Sequence, residues 1–561
     1  MKNKIIISSI AVLSILIIGL FLFLIMGEGK DLPKNILEVL PGDVSAYFSV
    51  NDYANLKKDF QAKKLYQTVF ANDELYKLIL SNEEYKKYKE DRKSESVIKS
   101  KIEDSFIEKW FGEELVVAVV KLEGIEKPAV YVISRTNPGI IGRLAELAAK
   151  NSPSHEIFNK EYHSKKIYIY RDKKEDDSYT YCKYGQTIIL SLLGEETVYL
   201  EKFIDNLKDG KKRKYNSNVE KHLYSKSNKT NYLAGYLEPN KFKNDFKSFI
   251  EYYKKEDQNA NLDFFNENFG KFDYILIASS LTDVFNTDVK LYFSKEYSKD
   301  EKNALYPTGK TKHNLLKYVP ADTLLLFSMS NKNLREELDF RVKKTLSSLE
   351  IFEGIDVKED EDNFAFVKDE FVFTIDDIKQ VFIFPVPLGK VLFSINDEKG
   401  AEEAAKNAIQ SIVDKYQTGS QISNSKVAGF NVWEFDLFSE KVSSFSNKDT
   451  FGIALGKDTF SKSIELSSNK VMTIENNDLF KKLSANNSID DVHTIVFLNT
   501  ELMCKKAESL VYLFEKFLKE QEDTTALKNI LNNIAVNAKS MLFLRKNYDD
   551  YVELNIMQTV E

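Results

Sequence analysis

The chain has 561 residues, 43% of them hydrophobic and 12% aromatic, which excludes a disordered chain and is enough for roughly two to four packed domains. The formal net charge of -7 is small for this length, and acidic and basic residues are interspersed, so no nucleic-acid partner is indicated. Two cysteines, Cys182 and Cys504, are too few for a disulfide framework and are predicted to be buried thiols.

The first predicted element is a membrane-spanning helix. Residues 5–27 are apolar apart from three serines, and a helix of this length, at about 1.5 Å per residue, crosses the roughly 30 Å hydrocarbon core of a bilayer. Lys2 and Lys4 precede the stretch, and no clear small-x-small cleavage site or lipoprotein cysteine follows it. The positive-inside rule therefore predicts a signal-anchor within residues 1–30, with a cytoplasmic N-terminus; an atypical cleaved signal peptide is the alternative.

A short motif opens the first predicted domain, residues 31–295. Residues 40–43 read Leu-Pro-Gly-Asp and lead into an apolar run, and residues 319–322 read Val-Pro-Ala-Asp before a similar run. A motif that returns in this way predicts two copies of one domain.

The first domain alternates strand-like and helix-like segments. Amphipathic helices are predicted around residues 140–148, 198–207 and 242–253. Runs rich in β-branched and aromatic residues predict strands at 44–50, 114–121, 129–134, 166–170, 178–184, 187–192, 231–237, 274–279 and 287–293.

The second domain repeats this order of elements. Residues 296–312, which contain Pro307 and Gly309, are predicted to be a linker, and residues 313–561 form the second domain. Its blocks follow one another in the same order as in the first domain. For example, residues 368–373 correspond to 112–117, and residues 494–498 correspond to 232–237. Strand-rich blocks without regular β–α–β alternation predict an α+β fold, with tandem duplicated domains of mainly antiparallel sheet and packed helices.

The histidines form no recognisable catalytic or metal motif. The sequence contains neither an H-E-x-x-H pair nor a G-x-S-x-G elbow. His155 and His163, in a region predicted to be a Pro-containing loop, are the one pair considered for a joint metal site. His313 and His493 are predicted to be surface residues. The sequence therefore predicts no cofactor, no metal and no catalytic set.

Three further segments have a functional and a structural interpretation. Residues 452–457 resemble a phosphate-binding loop, but the spacing of their glycines is one residue short and Asp458 follows the lysine, so a strand end is predicted. The acidic run 356–362 lacks the central glycine of a calcium loop and is interpreted as a solvated loop. The basic run 211–214 is interpreted as a surface segment, with contact to an anionic surface as the alternative.

Asp43 and Asp322 are the polar residues of the repeated motif. A functional interpretation makes them matched carboxylates at equivalent sites. The structural interpretation is favoured, because Pro41 and Pro320 restrict φ while an adjacent Asp can hydrogen-bond local backbone to set a turn. We therefore predict that the motif marks the start of each domain copy.

The motif also resembles that of a known bacterial family, the domain of unknown function 3352 family. The matching residues are Leu40, Pro41, Asp43 and Tyr47 in the first copy and Val319, Pro320, Asp322 and Leu326 in the second. The resemblance implies an exported or membrane-anchored protein, and no activity or catalytic set comes with it. The second copy has Leu326 in place of the aromatic Tyr47.

Together these observations predict a single-pass, membrane-anchored extracytoplasmic protein of the cell envelope. Residues 5–27 are expected to insert into the membrane. The duplicated domains are expected to bind or scaffold an envelope protein or lipid without catalysis. One alternative is a carrier of an apolar ligand such as a lipid, suggested by aromatic residues in the strands. A second alternative is a hydrolase with a non-standard site.

Overall fold

In the computed structural model the chain divides into two compact units. The first contains the described residues up to Leu281 together with Val289–Lys295, and the second contains Thr282–Asp288 and the described residues of Glu296–Glu561. Apart from short internal gaps, the structure describes residues 37–51, 56, 59, 114–135, 155–208, 231–245, 269–335, 365–416, 421–467, 472–515 and 522–560.

The first unit is built on an antiparallel sheet. Hydrogen bonding places its strands in the order β4-β5-β6-β7-β3-β2-β1-β8-β9. Helix α1 (Val198–Lys208) follows β7. The strands are β1 (Val44–Asn51), β2 (Glu114–Val120), β3 (Ala129–Arg135), β4 (His155–Tyr162), β5 (Lys165–Asp172), β6 (Ser178–Tyr184), β7 (Thr187–Leu192), β8 (Asn231–Leu237) and β9 (Phe272–Leu281), and β10 (Val284–Phe293) is divided between the units.

The second unit is also built on an antiparallel sheet. Its strands follow the order β14-β15-β16-β17-β13-β12-β11-β18-β19-β20. They are β11 (Leu325–Ser330), β12 (Val367–Val381), β13 (Phe384–Ile395), β14 (Ser423–Val427), β15 (Phe430–Leu437), β16 (Glu440–Ser446), β17 (Thr450–Leu455), β18 (Thr494–Leu498), β19 (Met541–Asn547) and β20 (Tyr551–Thr559). Its helices are α2 (Glu398–Tyr416), α3 (Thr459–Ser467), α4 (Asp478–Ser484), α5 (Thr500–Glu515) and α6 (Glu522–Asn537).

Both faces of the second sheet carry apolar side chains that pack. On one face, Leu326, Val372 and Leu392 pack in a core that also includes Phe460 of α3 and Phe480 of α4. The opposite face packs against α2, where three residues spaced by one helical turn, Ala401, Ala405 and Ile409, are buried with aromatic residues of β13 and β15. The alternation of the strand sequences therefore separates two cores, one on each side of the sheet.

The α+β class predicted from the sequence is confirmed, since the described residues are mainly antiparallel sheet with packed helices. Several strands match the prediction at both ends, among them β6, β7, β8 and β18. The region containing His155, predicted as a loop, forms strand β4 instead. The sequence of β4 lacks the apolar–polar alternation that marks a strand, because polar residues occupy both faces of this strand at the edge of the sheet.

No helix among the described residues is long and apolar enough to cross a membrane. The apolar stretch 5–27 and the helix predicted around residues 140–148 lie outside the described residues.

A glycine in β13 allows close approach between two strands. A Cβ placed on Gly389 would lie 1.9 Å from the backbone carbonyl oxygen of Thr374 on β12, where the backbone has no freedom to retreat without breaking the ladder. We expect Gly389→Ala to lower the free energy of unfolding by about 3 kcal/mol, measured by urea denaturation. Gly235→Ala in β8 is the matched control, because its Cβ would meet Ile277 at 3.3 Å. Equal losses in both variants would contradict the prediction.

Candidate functional site

The repeated motif forms the same backbone turn in both units. The carbonyl oxygen of Pro41 accepts a hydrogen bond from the N–H of Val44 at 3.3 Å, and that of Pro320 accepts one from Thr323 at 3.2 Å. Each turn delivers the chain into the first strand of its unit, β1 or β11. The proline therefore contributes backbone geometry at the position where each strand begins.

The aspartates of the motif lie near the surface. Asp43 is partly buried. The side chain of Asp322 is 68% exposed and lies 3.8 Å from the ammonium of Lys462 on α3. An exposed ion pair of this length contributes little to stability, at most about 1 kcal/mol.

A polar cluster holds the segment that precedes the second motif. We call His313, Ser328, Glu370 and His493 the clasp, because they hold the segment that enters the second unit. The Nε2 atom of His313 lies 2.8 Å from the carbonyl oxygen of Val492, so this nitrogen carries the proton. The Nδ1 atom then accepts the hydrogen bond from the Ser328 hydroxyl at 2.7 Å. This is the partner arrangement of a serine nucleophile and its base, but Ser328 is fully buried and cannot meet a substrate.

Glu370 anchors the start of a short 3-10 helix, Asn314–Tyr318. Its Oε1 accepts the N–H of Leu315 at 2.6 Å, and the residue is 1% exposed. Burial raises the pKa of this carboxyl to about 8, against the lowering effect of its backbone hydrogen bonds. The protonated, uncharged form is therefore favoured at neutral pH.

The histidines of the clasp are also held uncharged. Nδ1 of His493 accepts the N–H of Asn547 at 3.2 Å. Burial has the largest effect on the pKa of His493 and the charge of Arg545 the second largest, and together they lower this pKa to about 4. Burial also lowers the pKa of His313. The prediction that His493 is a surface residue is wrong, because this residue is 2% exposed. His313 is partly buried, because the linker segment folds onto the ends of β11 and β18.

An ion pair is buried on the same sheet. The ammonium of Lys390 lies 2.6 Å from Oδ2 of Asp376, and the two side chains are 0% and 10% exposed. The other carboxylate oxygen, Oδ1, accepts a hydrogen bond from the hydroxyl of Thr323 at 2.8 Å. Without exposure to solvent, this lysine is positioned to stabilise the sheet and not to react with a substrate.

An exposed cluster lies at the end of the β4–β5 hairpin. We call Tyr162, His163, Asp205 and Lys208 the hairpin-tip cluster; the last two belong to α1. Nε2 of His163 lies 3.3 Å from Oδ1 of Asp205, and the two side chains are 39% and 40% exposed. The hydroxyl of Tyr162 donates to the same carboxylate at 2.9 Å, and the ammonium of Lys208 lies 3.1 Å from Nδ1 of His163. The hairpin-tip cluster therefore brings a histidine, a carboxylate and an ammonium together at a solvent-accessible position.

The structure separates the two histidines considered for a metal site. His155 begins strand β4 and His163 follows its last residue. Eight residues of strand at about 3.3 Å each place them roughly 26 Å apart. They cannot ligate one metal ion. Among the described residues, no group of three or more His, Cys, Asp or Glu side chains is placed to hold a metal.

The glycine-rich segment 452–457 is a strand end, as predicted. Gly452 lies within β17, and a Cβ there would come within 2.4 Å of the ring of Phe445. Gly456 follows the strand with φ +120°, which permits the turn into α3. The structural interpretation of this segment is therefore confirmed.

Cys182 and Cys504 are free and buried, as predicted, and burial raises the pKa of Cys182 to about 12. Such thiols are poor nucleophiles. The acidic run 356–362 and the basic run 211–214 lie outside the described residues.

Sequence reasoning missed Glu370, Lys390 and three residues of the hairpin-tip cluster, Tyr162, Asp205 and Lys208. One signal was present in the sequence: Glu370 and Glu114 each stand directly before an apolar strand run, at corresponding positions of the two halves. Both are buried, and each lies opposite the last residue of the first strand in its unit, Ser330 or Asn51.

No protein-family model, curated protein or solved structure matches this chain. The resemblance to the domain of unknown function 3352 family stays a prediction that depends on the motif residues alone.

Proposed function

We propose that this protein is a single-pass, membrane-anchored envelope protein whose domains lie outside the cytoplasm and bind or scaffold a partner without catalysis. The observation that carries the proposal is the uninterrupted apolar stretch 5–27, preceded by Lys2 and Lys4. The described residues form two units of antiparallel sheet, an architecture suited to presenting strand edges and hairpins to a partner.

The proposal includes a tandem duplication of the domain. Its support is that strands β1 to β9 pair in the same connectivity as β11 to β19. Helices α1 and α3 follow equivalent strands, β7 and β17. In both units, the hairpin at the sheet edge closes through a two-residue turn with positive φ at each position.

One pair among the described residues that resembles a catalytic pair is enclosed. A hydrolase that used Ser328 and His313 would need the hydroxyl of Ser328 to meet a substrate, and this side chain is fully buried. The alternative of an apolar-ligand carrier would need aromatic side chains to line a cavity. Some of the described aromatic residues instead pack on one another, as Phe366, Phe393 and Phe451 do.

The anchor and its orientation are tested by labelling a single exposed cysteine in intact cells. In a chain lacking Cys182 and Cys504, Ser425→Cys places a thiol on β14, which is exposed along its length. We expect a membrane-impermeant maleimide to label this variant without permeabilisation, and Asn3→Cys to react after permeabilisation alone. Deleting residues 5–27 should release the protein from the membrane pellet. Labelling of Ser425→Cys that requires permeabilisation would overturn the proposed orientation.

A further inference from the structure

The end of the linker is held on the second unit by hydrogen bonds from two segments. In the loop before β18, the carbonyl oxygens of Asp490 and Val492 accept hydrogen bonds from the hydroxyl of Thr311 at 3.0 and 2.7 Å. At the end of β19, the side-chain amide of Asn547 donates to the carbonyl oxygen of Pro307 at 3.0 Å. Pro307 and Thr311 are both buried. This end of the linker therefore belongs to the packed structure of the second unit.

His493 joins these two segments. Its backbone N–H donates to the carbonyl oxygen of Arg545 on β19 at 2.7 Å, and its imidazole Nδ1 accepts the N–H of Asn547 at 3.2 Å. A backbone N–H can only donate, so Nδ1 must keep its lone pair and the imidazole must be neutral. A proton on Nδ1 would point at the N–H of Asn547 and replace the hydrogen bond by a repulsive contact. Because the residue is 2% exposed, solvent cannot provide another acceptor in this arrangement.

Charged and titratable groups face this imidazole from the neighbouring elements. They are Arg545 of β19, His313 of the linker and Asp491, which ends a 3-10 turn before β18. Burial has the largest effect on the pKa of His493 and the charge of Arg545 the next, so this pKa is held at about 4 although Asp491 raises it. The closed arrangement therefore disfavours the proton on electrostatic as well as geometric grounds.

His313 responds differently to a proton. Its Nδ1 atom is hydrogen-bonded to the hydroxyl of Ser328, which can either donate or accept, and its Nε2–H donates to the carbonyl oxygen of Val492. The carboxylate of Asp490 also faces His313 and favours its charged form. Of these two histidines, His493 is therefore the one that its hydrogen bonds restrict to the neutral state.

We propose that His493 is an acid-sensitive latch for the end of the linker. Protonation of Nδ1 breaks the hydrogen bond to the N–H of Asn547, moves the side-chain amide of Asn547 away from Pro307 and frees residues 307–311 from the second unit. In the open form the imidazolium is hydrated and no longer faces a backbone donor. The latch depends on neither the membrane anchor nor the duplication proposed above.

Hydrogen exchange of the full-length protein in zwitterionic detergent, followed by mass spectrometry from pH 7 to pH 4.5, measures this opening. Exchange rates corrected for their intrinsic dependence on pH give the equilibrium constant for opening. Because His493 gains a proton when the latch opens, this constant should rise about tenfold for each unit of pH below about 6.5. We expect the loss of protection in segments 306–313 and 545–549 and not in the β15–β16 hairpin.

His493→Gln is the decisive variant, because its side-chain carbonyl oxygen can accept the N–H of Asn547 and stays uncharged at every pH. The linker should then be protected to a similar extent from pH 7 to pH 4.5. His163→Gln, the same substitution at an exposed histidine of the first unit, is the matched control and should keep the original pH dependence. Thr311→Val removes the hydrogen bonds to the two carbonyl oxygens, so it should lower linker protection at every pH without changing the dependence on pH.

A pH dependence in His493→Gln equal to that of the unsubstituted chain would overturn the proposal. Linker protection that does not change between pH 6.5 and 4.5 in the unsubstituted chain would overturn it as well. Loss of protection shared equally by β15 and β16 would indicate unfolding of the whole unit and would also contradict a local latch. These last two outcomes decide the question even if His493→Gln does not fold.

Discussion

Lys390→Met is expected to lower the free energy of unfolding of the second unit by about 3–5 kcal/mol. The substitution removes the partner of Asp376 and leaves its carboxylate in a position that is 10% exposed. The hydrogen bond from Thr323 cannot by itself replace the lost charge. Urea denaturation is monitored by the fluorescence of Trp433, which lies in β15. The measurement uses a Trp110→Phe background.

Lys462→Met is the matched control for this prediction. Its ion pair with Asp322 spans 3.8 Å between exposed side chains, so a loss below about 1 kcal/mol is expected. The double variant Lys390→Met with Asp376→Leu should recover much of the stability, because no unpaired charge then remains buried. A loss below about 1 kcal/mol for Lys390→Met alone would contradict the prediction.

The second unit is expected to lose stability as the pH rises from 6.5 to 8, by about 2 kcal/mol. In the folded state the pKa of Glu370 is raised to about 8, so its carboxyl keeps a proton that the unfolded chain has already released. The folded state therefore binds more protons above pH 4.5, and the stabilisation is lost as the pH approaches 8. Measurement is by urea denaturation at intervals across this range.

The histidines of the clasp act in the opposite direction at lower pH. His493 has its pKa lowered to about 4 and that of His313 is also lowered, so each opposes folding as the pH falls below 6.5. Between pH 4.5 and 6.5 these effects offset that of Glu370, which leaves the range from 6.5 to 8 as the diagnostic one.

Glu370→Gln should remove the loss of stability between pH 6.5 and 8, because the amide stays uncharged and its oxygen still accepts the N–H of Leu315. Asp449→Asn, at a position whose side chain is 74% exposed, is the control and should keep the slope. A pH dependence that is equal in both variants would assign the effect to other groups.

Local sequence patterns predicted most of the strands of both units. β-branched and aromatic runs such as those of β2 and β8 carry the period of two residues in their own sequence. Strand β14 was missed for a physical reason. Its five residues are exposed at every position, and no apolar alternation marks a strand that has no core face. Its conformation depends on pairing with β15.

The candidate sites could not be assembled from local patterns. His163 and Lys208 are 45 positions apart, and their contact depends on a left-handed turn that the sequence His-Ser does not favour. Lys390 lies in a strand with no local sign that its ammonium is enclosed. A charged residue in a strand is ordinarily interpreted as facing solvent, and its partner Asp376 lies on a different strand.

The sequence by itself determined the α+β class, the positions of most strands and the repeated Pro-x-Asp motif, because these depend on periodicity and on the restricted φ of proline. It also supplied the expectation of a membrane anchor, which depends on the length of the apolar stretch 5–27. The tertiary structure alone decided where the polar groups lie. Hydrogen bonding and desolvation depend on neighbours that are distant in the chain, and these neighbours bury Glu370 and Lys390 while leaving His163 exposed.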